Sequence, residues 1–479
     1  MSSVVTYAAP MGAVLLDEFK VKVRVPGEAW QHMPVYKVKV DMHDVREASM
    51  SSFDMEGTIE AEITYRRGEL KDVAIRPLSH SIHYAVEEDT IRLTLNQPRK
   101  LVIECNGERF GNLHLFANPM ETDAPNPDDS HVLAIQPGIH RLPDILQQFN
   151  NSKNEHQAPD ILYFEPGMHY IEETVLPVSS GKTVYIAGGA ILVGSIVCDH
   201  VRDVVIRGRG FIYLADFPRF SAFRGVRVIF SENIAIEGIT VIDPPHYSVF
   251  IGKSQGISIW NFKSFSTRGW SDGIDIMSSE RIHIDDIFMR NSDDCIAVYG
   301  SRWDFYGDTR GVTVRNSILW ADVAHPIMIG THGDHHRNGD VIEELRFENI
   351  DILEHHEPQP NYWGAMAINA GDRNTVRNVV FENIRVEAIE QGQLLDIRVV
   401  HNEDYNPVPG NRIENVVFRD IYYAGKTPHP SRIHGFDNER IVDGVLFHNL
   451  RFGDERVEGN GHRALDINGY VRNIVFVKE

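Results

Sequence analysis

Three stretches near the C-terminus decide the fold: VVFENIR (379–385), VVFRDIY (416–422) and VLFHNLR (445–451). Each places alternating β-branched or aromatic residues ahead of an Asn or Asp. Working back toward the N-terminus, the same pattern recurs in LRFENID (345–351), VTVRNSI (312–318), RIHIDDI (281–287) and GISIWNF (256–262). The Asn/Asp positions are 261, 286, 316, 349, 383, 420 and 449, spaced 25 to 37 residues apart. A strand-bearing repeat of this period, with no helical pattern between copies, predicts a parallel β-helix with one rung per repeat. Apolar residues fill the tube. The Asn/Asp sit where the chain turns, because their short side chains satisfy turn backbone and tolerate the left-handed region. The absence of an LxxLxL pattern excludes a leucine-rich repeat.

The first 120 residues read differently. VYKVKVDM, GTIEAEITY, TIRLTLN and KLVIEC alternate with period two and are separated by turn signals such as Asn106-Gly107. This predicts a small antiparallel β-sandwich over 1–120. METDAPNPDDSH (120–131), polar with two prolines, reads as a linker, placed at 121–131, before a β-helix domain over 132–479. LPDILQQFNN (142–151) reads as a short capping helix. The fold class is therefore all-β: a right-handed parallel β-helix preceded by a sandwich.

The 479 residues are 42% hydrophobic and 24% charged, with a net charge of −21. That balance disfavours nucleic-acid and membrane partners, which need clustered Lys/Arg. No apolar run reaches the roughly 18 residues of a membrane span. MSSVVTYAAPMGAVLLDEF lacks the basic start of a secretory signal, which predicts a cytoplasmic protein. Cys105, Cys198 and Cys295 are far apart and read as buried apolar residues.

The chemistry concentrates in GWSDGIDIMSSERIHIDDIFMRNSDDCIAVYG (269–300). Asp272 precedes Asp293 by 21 residues, about one rung, and rungs rise about 4.8 Å. Asp272 should therefore lie beside Asp293 and Asp294. Three carboxylates so close raise the pKa of at least one, giving an acid beside ionised bases, as glycoside hydrolysis requires. Both members of the Asp pair can face one cleft only where the backbone is irregular. Asp285 and Asp286 occupy a turn position and read as structural.

WSDGID (270–275) and SDDCIAV (292–298) resemble two motifs of glycoside hydrolase family 28, the polygalacturonase family of right-handed β-helices. AHPIMIG (324–330) is similar to its third, histidine-bearing motif, and SRWDFYGDTRG is an insert resembling those of exo-acting members. The resemblance implies that Asp293 protonates the leaving oxygen, that Asp272 and Asp294 hold and deprotonate water, and that His325 tunes the acid or binds sugar. It implies inversion, with carboxylates about 6.5–9.5 Å apart. The family's RxK, which binds a galacturonate carboxylate, aligns with Ala367 and Asn369, leaving Arg373 or Arg398 as substitutes. Ser271 stands for the motif's Asn, and AHP for GHG. These departures, with the sandwich, resemble glycoside hydrolase family 49, the dextranases and isopullulanases.

The reading is an inverting glycosidase acting on α-linked oligosaccharides, neutral or atypically pectic, possibly exo, without metal or cofactor. Substrate-binding candidates are His325, Trp270, Asp275, His332, Tyr299, Trp303, Trp363, Asn369 and Arg373. The aromatic residues among them offer sugar-stacking faces, as do Tyr306 and Tyr362. His332 lies in THGDHH (331–336), read as a polar loop at the cleft rim. The alternatives are a polysaccharide lyase, whose acidic cluster binds Ca²⁺, and a non-catalytic carbohydrate-binding β-helix.

Overall fold

A computed structural model describes residues 2–150, 158–221, 223–425 and 429–477. Two sheets occupy the N-terminal part. One contains Ser3–Thr6, Tyr36–Val40, Arg46–Glu56, Val73–Arg76, Arg99–Cys105 and Glu108–Pro119; the other contains Phe19–Arg24, Gln31–Met33, Ile59–Tyr65, Tyr84–Glu87 and Thr90–Leu95. Alternation drives their packing. Phe19, Val21 and Val23 point inward from one strand and meet Phe53, Leu101, Ile103, Leu113 and Leu115 from the facing sheet. Every pairing is antiparallel except Arg46–Glu56 with Glu108–Pro119, which runs parallel with Leu113 opposite Ser49. The chain passes through the second sheet between these strands, so it returns in the same direction.

Among the described residues from Val132 to Val477, thirty strands form one parallel winding, with a short antiparallel pair near its end. Interior positions stack in register. Ile251, Ile276, Val298, Ile329, Ile368, Ile397 and Ile433 follow one another rung by rung. A second column is aromatic: Phe347, Phe381, Phe418, Phe447 and Phe476, with ring centroids 5.0–5.2 Å apart. The repeat's Asn/Asp residues all have positive φ, from 51° at Asn261 to 62° at Asn449. Neighbouring side chains join into a ladder, Asn349 donating to Asn316 at 2.8 Å and Asn383 to Asn349 at 3.3 Å. Asp286 belongs to this set (φ 55°). The helix Leu142–Phe149 buries Ile145 and Phe149 against the first rungs; Asn151, expected at its end, lies outside the described residues.

The segment between Pro119 and Val132 is no free tether. Glu121 and Asp123 take Arg207, and Glu121 also accepts from Tyr185. The sandwich sits on the β-helix through an apolar layer that includes Tyr36, Phe116, Phe265, Phe288 and Trp320. Buried charges cross it: Arg209 Nε bonds both Asp54 oxygens at 2.9 and 2.8 Å, and Lys100 bonds Asp286 at 2.5 Å. The three cysteines are buried and unbridged. Among the described residues, no helix is long and apolar enough to cross a membrane.

Candidate active site

Backbone hydrogen bonds align the site. Ser248 N donates to Asp272 O, Gly273 N to Asp294 O, and Cys295 N to His325 O, all at 2.8 Å. Asp272, Asp294 and His325 thus occupy equivalent places on successive rungs. Gly273 permits this stacking, because a Cβ there would meet Cys295 O at 2.2 Å. The strand Phe288–Asn291 ends before the pair, and the next begins at Ile296. Asp293 and Asp294 lie in the bend between, free of strand alternation.

One oxygen from each of Asp272, Asp293 and Asp294 lies within 4.8 Å of the others. This is a bound between single oxygens and is shorter than the span between two whole carboxyl groups across a sugar. Adjacent rungs supply the three groups, so the rung height sets their spacing.

Asp293 is half-buried. It accepts Trp270 N at 2.7 Å and Asp294 N at 3.1 Å. Burial and the Asp294 charge nevertheless push its pKa up to about 6. Asp294 is buried and accepts His325 N at 3.1 Å, His325 Nδ1 at 2.7 Å and Tyr299 Oη at 3.2 Å. Burial acts against the His325 imidazolium, but Asp294, with Glu357 nearby, raises its pKa to about 9. Its Nε2–H donates to the Tyr362 carbonyl. Asp272 is held well above the usual carboxylate range by burial and then by Asp275, Asp293 and Asp294. Asp275 is fully buried beside it, also raised by burial, and neither of its oxygens receives a hydrogen bond. The Arg302 charge acts the other way on Asp275.

The rim is aromatic. Trp270 (49% exposed) meets Phe220 at 5.1 Å and His246 at 6.0 Å; Trp303 (42% exposed) meets His246 and Tyr247, each at 6.2 Å. His332 is half-buried against Tyr299 at 4.9 Å. Trp363 stacks on His429 at 3.9 Å with its Nε1 buried and unbonded.

Several expected sugar contacts lie below this surface. His325, Asp275 and Tyr299 are buried under the triad. Asn369 is buried too, its amide donating to the Asp396 carbonyl and carboxylate at 3.3 and 3.1 Å. The Arg373 guanidinium bonds the Arg337 carbonyl. Arg398 is forked onto Asp396 at 2.7 Å twice, with Asn361 O at 2.6 Å. The rung expected to hold a carboxylate clamp therefore presents Ala367 and a locked amide.

Sequence reasoning did not reach Arg302, His246, Tyr247, Phe220 and Glu357. Arg302 sits in the insert already singled out for its length, which was the available signal. Burial, with the Asp294 and Asp293 charges, pushes Glu357 up to about 7 although His325 acts the other way; nothing in its local sequence marks it. Among the described residues, the group converging tightly enough for a metal is Asp272, Asp293 and Asp294. In THGDHH, Asp334 instead caps the backbone N–H groups of His336 and Arg337.

Residues 221–450 match the family model described as Glycosyl hydrolases family 28. The β-helix is family 28-like. Among relatives, a probable exopolygalacturonase B of Emericella nidulans is 22% identical over 252 residues, covering 46% of this chain and 53% of its own. Another, from Aspergillus terreus, is 24% identical over 248 residues, covering 46% and 54%. The chain spans about half the length of these curated relatives. Among solved structures, Dex49A from Penicillium minioluteum superimposes with a TM-score of 0.65 at 16% identity, covering 98% of this chain and 96% of its own. A family 28 exopolygalacturonase of Yersinia enterocolitica gives 0.53 at 13% identity, covering 93% and 99%. The fold is thus shared with both a family 28 exopolygalacturonase and Dex49A.

Proposed function

We propose that this family 28-like protein is a glycoside hydrolase that cleaves an α-linked oligosaccharide by acid–base catalysis at Asp272, Asp293 and Asp294. The observation that carries the reading is the convergence of three carboxylates within 4.8 Å under an aromatic rim. Asp293 is the acid: it is the half-exposed member, with a pKa near 6, and it protonates the departing glycosidic oxygen. Asp294 and Asp272 hold the attacking water. The His325 ring pairs with Asp294 at 2.7 Å, and Asp294 is the base that takes the proton of the water, while Asp272, held above the usual carboxylate range by burial, keeps its own proton and orients that water. The Asp294 carboxylate, facing an oxocarbenium-like centre, also stabilises its positive charge. Direct attack by water inverts the anomeric carbon.

The sugar beside Ala367 and Asn369 is neutral in this reading, because neither residue nor the paired Arg398 offers a free cation there. Phe220, Trp270 and Trp303, from three different loops, close the other side and favour action at a chain end.

The test is product release from paired neutral, acidic and mixed α-linked oligosaccharides, with Asp293→Asn as control. The wild type should cleave at least one class, and the variant should lose about 10³-fold or more while keeping its melting temperature. An amide oxygen can still accept one of the two backbone bonds. Wild-type turnover in the variant would end the proposal. Proton NMR of the first-formed anomer reports stereochemistry; retention would mean that Asp272 or Asp294 attacks the sugar directly.

A further inference from the structure

We infer that the crevice between the sandwich and the β-helix, walled by Arg99 on the sandwich side and by the Asn ladder on the other, binds a small oxyanion, free or carried on a sugar. None of the catalytic groups takes part, so the site is independent of the glycosidase reading.

The crevice has a volume of about 550 Å³, within the roughly 300–1,000 Å³ of small-molecule sites, and it lies where two packed units meet, a common place for them. Charge decides what it takes. Both carboxylates that line it already hold a cation. Asp286 accepts Lys100 Nζ at 2.5 Å. Asp351 accepts two Arg385 N–H groups at 2.6 and 2.9 Å, and Ser79 Oγ at 2.8 Å. Asp285, next to Asp286, accepts Arg315 Nε at 2.9 Å and Asn316 Nδ2 at 2.8 Å. Arg99 is left over. It is half-buried, and among the described residues it forms no ion pair; its guanidinium meets the side-chain amide of Gln97, a neutral group.

His80 lines the same crevice. Burial, then the Arg99 charge, lowers its pKa to about 4; Arg385 and Lys100 act the same way, and Asp351 acts against them. The ring is therefore neutral at pH 7, and its Nδ1 is buried without a hydrogen-bond partner among the described residues. Arg99, Lys100 and Arg385 against Asp286 and Asp351 leave one positive charge in the crevice, on a chain whose net charge is −21. A guanidinium with no carboxylate of its own presents a planar fork of donors, which suits an oxyanion. The remaining volume is more than a bare ion fills. Asn316, exposed, and Asn349, half-buried, border it with amide groups that suit a hydroxyl-bearing carrier.

The experiment is calorimetric titration of the full chain at low ionic strength with inorganic phosphate, glucose 6-phosphate and glucose. Phosphate should bind saturably at one site, and glucose 6-phosphate should bind far better than glucose. Glucose 6-phosphate binding tighter than phosphate assigns the oxyanion to a sugar; equal binding assigns a free ion. Arg99→Gln should weaken phosphate binding roughly ten- to hundred-fold, and Arg99→Lys should restore part of it. Phosphate should raise the melting temperature of the wild type and not that of Arg99→Gln. Asp293→Asn should bind phosphate as the wild type does, since the ion sits away from the carboxylate triad. No saturable phosphate binding, glucose bound as well as glucose 6-phosphate, or an Arg99→Gln protein that keeps its phosphate affinity would each overturn the inference. Arg99 has no carboxylate to strand, so Arg99→Gln without ligand should melt with the wild type and keep its glycan turnover. Failure of the glycosidase reading shows in turnover and leaves these titrations untouched.

Discussion

Replacing His325 by glutamine tests whether a buried imidazolium supports catalysis by the water-binding Asp294. His325 is fully buried, and burial alone would lower its pKa below 6.5; it stands instead near 9. A net shift of that size corresponds to about 3 kcal/mol of favourable interaction, supplied first by Asp294 and then by Glu357 and the Tyr362 carbonyl. Glutamine keeps a neutral donor at the Asp294 oxygen 2.7 Å away and loses the charge. The basic limb of the kcat/KM profile stays near 6, where Asp293 releases its proton. The peak of kcat/KM should fall roughly 10- to 100-fold. Stability has its own sign. The raised folded pKa stabilises fully below about 6.5, and this contribution is lost as pH rises through about 9. The melting-temperature gap between wild type and variant should be widest near pH 6 and shrink by pH 10. An unchanged kcat/KM, with the same gap at both pH values, would refute the reasoning.

In the wild type, kcat/KM should fall about tenfold per unit above pH 6, as Asp293 loses the proton it must donate; a flat profile to pH 8 would assign the acid elsewhere. Hydrolysis should persist in EDTA, since protons occupy the acidic cluster in this mechanism; calcium-dependent release of an unsaturated sugar would indicate elimination. Phe381→Ala removes the ring between Phe347 at 5.1 Å and Phe418 at 5.0 Å. Denaturant unfolding should show a loss of about 3–5 kcal/mol, and a loss under 1 would mean that the column packs loosely.

The β-helix was legible because its repeat answers two local demands. The turn needs a residue that tolerates positive φ, and Asn or Asp supplies it from 261 to 449. The tube needs one large apolar residue per rung, hence the phenylalanine column. The carboxylate triad was legible because a one-rung offset converts sequence separation into proximity. What stayed hidden depends on covering loops. Alternation tells that Asp275 and Asn369 point out of the tube, but not that loops from other rungs close over them. A buried outward position and an exposed one read alike in sequence. The parallel pair within the sandwich was hidden for a similar reason, since alternation carries no direction. Arg302 was passed over because Tyr247, which its guanidinium bonds, is brought to it from another rung 55 residues away.

The sandwich bears on catalysis through Arg290, three residues before Asp293. Its guanidinium is fully buried, flat against Trp320 at 3.8 Å, and forked onto Asp322 at 3.0 Å. From the same guanidinium, bonds cross to the sandwich: Asn112 Oδ1 at 3.0 Å, His114 Nε2 at 3.2 Å and Arg109 O at 3.2 Å. His114 serves as an acceptor there because burial and then Arg290 hold it neutral, while its Nδ1–H donates to Ser49 O at 3.0 Å. Beside the acid itself, Met42 N of the sandwich donates to Ser292 Oγ at 3.1 Å. The sandwich thus grips the bend that aims Asp293. Arg290→Met leaves Asp322 buried and uncompensated and should cost about 3–5 kcal/mol. Adding Asp322→Leu removes the stranded charge and should return much of that stability. Activity should not return with it, because the crossing bonds are still missing and Asp293 is no longer held to the sandwich. A double variant that recovers both its melting temperature and wild-type kcat/KM would show that the sandwich stabilises the β-helix without positioning the acid.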